Sequence, residues 1–221
     1  MKVSQSQRRP GAANRPIDAY IIGAGGQARE TFYLIDRTPA LRFRGFLVED
    51  TYSEWWGRII TGGKILGPPR LFHDRDGVYY VGIGDNAARD RIITTLGEER
   101  LGPPLIAPGV NVHTSNELAK GTLICGGATL TVDAWLGVGV LVNCHVSIAH
   151  DVRIGRCSTC SPGANISGNV TIGERVWIGT GATIIEKLTI SDGVLIGAGA
   201  VVVRDLIECG TYLGVPARIR R

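Results

Sequence analysis

His150 and Asp151 are the adjacent pair in this chain best suited to moving a proton. An imidazole titrates near neutrality, so it can take the proton of an amine or hydroxyl as that group attacks an acyl carbon. A carboxylate next in sequence can orient the ring or favour its protonated form. A second cluster, Gly23-Ala-Gly25-Gly26-Gln27-Ala28, satisfies G-x-G-x-x-A, with Glu49 and Asp50 about twenty residues on. Such a turn lets backbone approach a phosphate or ribose at a helix N-terminus, although alone it is a weak fingerprint. A third, Cys157-Ser-Thr-Cys160, has the C-x-x-C form of redox and half-zinc sites. No second C-x-x-C exists, so a structural role is expected for both thiols.

The elements that must position these groups fall into two kinds. Ile17–Ile22 reads as a buried strand that runs into the Gly-rich turn, and 27–35 reads as a helix. Further strands are expected at 44–48 and 78–83, and a helix at 87–96. Residues 17–104 therefore read as a small, Rossmann-like α/β domain with a parallel sheet. Residues 1–16 read as a disordered leader, being polar and Pro-containing.

From Ile106 the periodicity changes to six. Steps of six from Ile106 to Val202 meet seventeen positions, of which sixteen are aliphatic and one is Cys160. Positions four further on are mostly small or β-branched, as at Ala128, Ala134, Val146, Val152 and Ala164. Gly often follows the aliphatic residue, as at Gly137, Gly155, Gly173, Gly179 and Gly197. A period of six fits neither an amphipathic helix nor simple strand alternation. It fits a parallel β-helix of hexapeptides over residues 105–221, each flat face turning one aliphatic and one small residue inward. Alternation then puts His150, between inward Ile148 and Val152, on the outer surface. A plain surface histidine satisfies that placement as well as a base does.

Composition excludes other classes. Gly accounts for 31 of 221 residues, about twice the usual share, but without the period of three that collagen needs. A net charge of +4 gives no argument for nucleic acid or a membrane surface as partner. No apolar run is long enough to cross a bilayer. Five cysteines at irregular spacing fit a reducing cytoplasm better than a disulfide framework.

The hexads resemble those of the hexapeptide acyltransferases, which form a left-handed, three-sided β-helix with three hexads per coil and assemble as trimers. The segments Gly23–Glu30, Gly82–Arg89, Val142–Asp151 and Leu213–Arg218 narrow the likeness. They resemble the bacterial nucleotide-sugar N-acetyltransferases and sialic acid O-acetyltransferases over nearly everything after the leader. The resemblance implies acetyl-CoA as co-substrate, a nucleotide-linked amino sugar as acceptor, and no metal. It makes His150 the general base and Asp151 its orienter. The Gly168 N–H, one coil later, would hold the thioester carbonyl, a place where a Gly needed for a tight corner is otherwise expected. Gly23, Gly25, Gly26, Gln27, Glu49, Asp50, Asp85 and Asn86 would hold the nucleotide. Thr159, Gly168, Gly179 and Arg218 would lie along the acyl donor. Two departures stand out, Gln27 and Thr159, where many family members carry His. O-acetylation of a sialic-acid-like sugar and a non-catalytic, sugar-nucleotide-binding trimer are the rival readings. His145 and His150 also share the five-residue separation seen in β-helical zinc carbonic anhydrases. The third ligand fails, because its position is Gly109 and His113 is in the wrong register.

Overall fold

The computed structural model describes residues 15–220, so the leader expected at 1–16 lies, up to residue 14, outside the described residues. The N-terminal part contains β1 (Ile17–Ile22), α1 (Gly26–Asp36), β2 (Leu41–Leu47), β3 (Ile59–Ile60), β4 (Gly63–Gly67), β5 (Val78–Val81) and α2 (Asn86–Leu96). They form one sheet in the order β3-β4-β2-β1-β5. Strands β4, β2, β1 and β5 run parallel, but β3 and β4 pair antiparallel, which corrects the all-parallel expectation. The hairpin escaped sequence reading because β3 has only two residues, too few for a period to appear. Ala19, Ile21, Phe46, Ile65 and Tyr80 fill the core behind the sheet, all fully buried.

From Leu105 onward, two-residue strands recur every six residues and stack into three parallel sheets. The first face carries Leu123–Ile124, Leu141–Val142, Thr159–Cys160, Trp177–Ile178 and Leu195–Ile196. The second carries Thr129–Leu130, Ser147–Ile148, Asn165–Ile166 and Thr183–Ile184, and the third Trp135–Leu136, Arg153–Ile154 and Thr171–Ile172. Every ladder steps by one coil of three hexads: Leu141 pairs with Thr159, Ser147 with Asn165, and Trp135 with Arg153. The aliphatic columns predicted from the repeat line the interior, with Leu136, Val142, Ile148, Ile154, Cys160 and Ile178 each 0% exposed. Ile106 departs from the column at 37% exposure, because it sits at the open first end of the solenoid with no coil beneath it.

The corners explain the rest of the repeat. The third residue after most inward aliphatics adopts a left-handed conformation: Asp133, His145 and Asp151 at φ 58°, and the Gly residues at equivalent corners at φ 66–81°. Glycine directly after the aliphatic has a different cause. A Cβ on Gly155 would lie 2.5 Å from the Gly173 carbonyl carbon of the next coil. Stacked coils at the strand spacing leave no room for a side chain there.

Candidate active site

Two separate places hold the chemistry read from the sequence. The first is a cleft of about 430 Å³ at the C-terminal edge of the small sheet, lined by Gly23–Gln27, Glu49, Tyr52, Trp55, Ile83 and Arg91. Gly23 is required there: at φ 112°, a Cβ would also lie 2.7 Å from the Gly82 carbonyl oxygen. Gly25 is the N-cap of α1 and offers no side-chain cap, so the first-turn N–H groups are left for a ligand. Unpaired donors with the helix dipole behind them suit an anion such as a diphosphate. Glu49 and Arg91 approach to 3.6 Å across the rim.

The cleft gathers Gly23, Gly25, Gly26, Gln27 and Glu49 but not the remaining residues expected there. Asp50 is paired with Arg70 and does not line the cleft. Asp85 caps α2, its carboxylate accepting from the Ala88 N–H at 2.7 Å. Asn86 is 8% exposed and turns towards the β-helix, donating to the Val176 carbonyl at 3.0 Å. A polar residue at a helix start is drawn into capping and packing as readily as into ligand contact. Tyr52 and Trp55 are lining residues that the repeat and motif patterns gave no sign of, because they lie in a short 3₁₀ segment (Asp50–Trp55).

The second place is the corner between the second and third faces. His150 is exposed there, its Nδ1 2.8 Å from Asp151 Oδ2, with both side chains about half exposed. One coil on, the imidazole lies directly over Gly168, where an added Cβ would be 2.6 Å from both Cε1 and Nε2. The Gly168 carbonyl accepts from Lys187 N–H at 3.0 Å, while its own N–H has no partner among the described residues. The ladder leaves the equivalent N–H unused at most corners, but at this one a histidine ring stands beside it. His145 stands at the preceding corner, its ring over Gly127 instead.

The other residues expected along the acyl donor are scattered. The Thr159 hydroxyl is buried, bonded to Asn86 Oδ1 at 2.6 Å and to Arg89 at 2.8 Å, so the chain itself consumes it. Thr159 faces the first sheet's outer side, which the α/β part covers. Gly179 lies on the corner after the first face, pressed against Ala198 N, where a Cβ would stand 2.6 Å away. Arg218 is exposed in the Thr211–Leu213 and Arg218–Ile219 hairpin that closes the first face. Cys157 and Cys160 are both fully buried. Burial pushes the Cys160 thiol up to about 12 and the Cys157 thiol to about 11, the reverse of what a redox pair needs.

Residues 169–204 match the bacterial transferase hexapeptide family of six repeats. PerB from Caulobacter crescentus, solved with CoA and GDP-perosamine, aligns with a TM-score of 0.84 at 27% identity, over 95% of this chain and 100% of its own. The acetyltransferase domain of PglB from Neisseria gonorrhoeae, solved with acetyl coenzyme A, aligns at TM-score 0.85 and 28% identity, over 93% and 100%. The chain is a hexapeptide-repeat acyltransferase. Its β-helix is left-handed, with the small α/β part in front, as in those proteins. WeeI from Acinetobacter baumannii is a further match, at TM-score 0.80 and 27% identity over 91% of this acyltransferase and 99% of its own chain. No curated protein matches the acyltransferase in sequence. None of its helices is long and apolar enough to cross a membrane, among the described residues.

Proposed function

We propose that the acyltransferase moves an acetyl group from acetyl-CoA to the amine of a nucleotide-linked amino sugar, with His150 as general base. Residues 17–104 hold the nucleotide and residues 105–221 carry the transfer. The observation that supports the base most directly is the imidazole held over an unpartnered Gly168 N–H. With Nδ1–H donating to the Asp151 carboxylate, the Nε2 lone pair is left free to act as the base. As the amine attacks the thioester carbon, Nε2 takes its proton, and the Gly168 N–H stabilises the oxyanion. Collapse of the tetrahedral intermediate breaks the C–S bond, and the imidazolium returns the proton to the CoA thiolate. The products are an amide and free CoA, and no metal enters the sequence.

The diphosphate of a GDP- or UDP-linked acceptor suits the uncapped α1 turn, and its base suits the Tyr52–Trp55 wall of the cleft. PerB, solved with GDP-perosamine, favours the GDP-linked class. The placement of the two sites supports assembly with further copies of the chain, as a trimer. Every hydrogen bond from the α/β part to the β-helix lands on the corner between third and first faces or beside it, at residues 120–121, 139, 156–159 and 175–176. His150 stands on a corner that this part does not touch. A neighbouring subunit is what brings a second cleft to it.

The test is free-CoA release from acetyl-CoA over a panel of GDP-, UDP- and dTDP-linked amino sugars, with the product challenged by hydroxylamine. Turnover giving a hydroxylamine-stable amide supports the reading. A labile ester would make the enzyme an O-acetyltransferase, and acetyl-CoA binding without release on any acceptor would contradict the proposal.

A further inference from the structure

Arg89 is the largest fully buried side chain among the described residues, at 2% exposure, and the mechanism above makes no use of it. It stands in the first turns of α2, where the neighbouring residues of the Gly82–Arg89 segment were expected to meet the nucleotide. Its guanidinium instead faces two ways. Nη1 donates to the carbonyls of Ile83 and Gly84, both at 2.9 Å, and these two residues line the nucleotide cleft. Nε donates to Gly139 O at 2.9 Å, and Nη2 to Cys157 O and Thr159 Oγ1, both at 2.8 Å, and to Asn86 Oδ1 at 2.9 Å.

The acceptors on the β-helix side have a structural logic. Gly139 and Cys157 are the left-handed corner residues of two successive coils. The ladder uses the carbonyls beside them, Val138 and Arg156, and leaves theirs open. A planar fork with five N–H groups is the side chain that can reach both coils and the cleft loop together. No carboxylate lies within ion-pair distance of Arg89 among the described residues. Burial disfavours its charged form, so the chain bears a desolvation cost that an apolar residue of similar size would avoid. A second clamp lies beside it: Asp90 accepts from Arg156 at 2.5 Å and from Arg175 at 3.0 Å. That clamp holds α2 to the β-helix without touching the cleft.

We propose that Arg89 is a positioning residue that fixes the floor of the nucleotide cleft to the β-helix corners, setting where the amino group of the bound sugar arrives. The inference rests on the reading of the cleft as the nucleotide site. It predicts a split between the two substrates, since the acetyl-CoA site at His150 and Gly168 lies on another corner.

The experiment compares full-length wild type with Arg89→Lys, Arg89→Met, Thr159→Val and Asp90→Asn. Acetyl-CoA affinity, kcat/KM for the amino-sugar nucleotide, and amide hydrogen exchange over residues 82–86 are measured well below each melting temperature. For Arg89→Lys, kcat/KM for the sugar nucleotide falls about a hundredfold, the cost of a misplacement near 1 Å. Exchange over 82–86 rises about tenfold or more, and acetyl-CoA affinity stays within about twofold. Arg89→Met repeats the pattern, and Thr159→Val, which removes one acceptor and leaves the fork, gives a weaker version if neither arginine variant folds. Asp90→Asn loses stability without the split. Unchanged loop exchange and sugar kinetics in Arg89→Lys would overturn the proposal. So would losses that strike both substrates equally, as in a merely destabilised protein. If wild type turns over no sugar nucleotide, the functional reading falls, while the exchange comparison still decides whether Arg89 holds the loop.

Discussion

Replacing Gly168 with Ala separates activity from stability in a way few substitutions in this protein can. The backbone there is outside the left-handed region, so alanine is conformationally acceptable. Its Cβ, however, would stand 2.6 Å from both Cε1 and Nε2 of His150. An ordinary carbon contact needs about 3.5 Å, so the imidazole must retreat by roughly 1 Å. The ring is an exposed side-chain end, and its retreat costs the fold little. The reaction bears the cost instead: a displacement of that size is worth about a hundredfold in rate. Stability should hold or rise by about 0.4–1 kcal/mol, because alanine restricts the unfolded chain. The assay pairs CoA release at saturating substrates with a thermal melt of the same sample. A slow enzyme with an undiminished melting temperature is expected. Wild-type turnover in Gly168→Ala would refute the reasoning, since the ring position set by Gly168 would then be irrelevant to chemistry.

Other consequences follow from burial and charge. In Asp90, desolvation raises the carboxyl pKa, but hydrogen bonds from Arg156 and Arg175 outweigh it and hold the group below its ordinary value. A depressed pKa stabilises the fold above the unfolded value near 3.9 and loses that contribution as pH falls through the folded one. Asp90→Asn should therefore cost about 2 kcal/mol at pH 7, and chemical denaturation should show the difference shrinking below about pH 4. Gly155→Ala sets a Cβ 2.5 Å from backbone of the next coil, which cannot yield as a side chain can, and should lower stability by about 1–3 kcal/mol. Thiol titration of the native protein should label Cys144 and Cys209 fast, with Cys125, Cys157 and Cys160 reacting only on unfolding. Fast labelling of Cys157 or Cys160 would contradict their burial.

The β-helix was the most legible part of the chain, because its signal repeats. One inward aliphatic every six residues leaves no other fold in which Ile148, Ile166 and Ile184 all face one interior. The coil of three hexads came from the family resemblance, and with that length the approach of His150 to Gly168 follows. The small sheet was legible where strands are buried on both faces, as at Ile17–Ile22, and illegible at β3, which is two residues long. The cleft was half legible. The Gly-rich turn announces itself because only glycine tolerates the Gly82 carbonyl so near Gly23. Asn86 and Thr159 carry the same polar chemistry whether they meet a ligand or each other, and only the docking of α2 on the coils decides between the two. Arg89 was hidden for the same reason: its partners on the β-helix include main-chain carbonyls 50 and 68 positions away, which no side-chain pattern records.

The central claim is that His150 takes the proton of the attacking amine. Its most direct test is the rate of CoA release by His150→Ala beside wild type, with the best sugar nucleotide at saturation and acetyl-CoA binding measured on both. A fall of about 10² or more with acetyl-CoA binding retained is the result expected for a lost general base. Turnover within a few-fold of wild type would contradict it and assign the proton to another group.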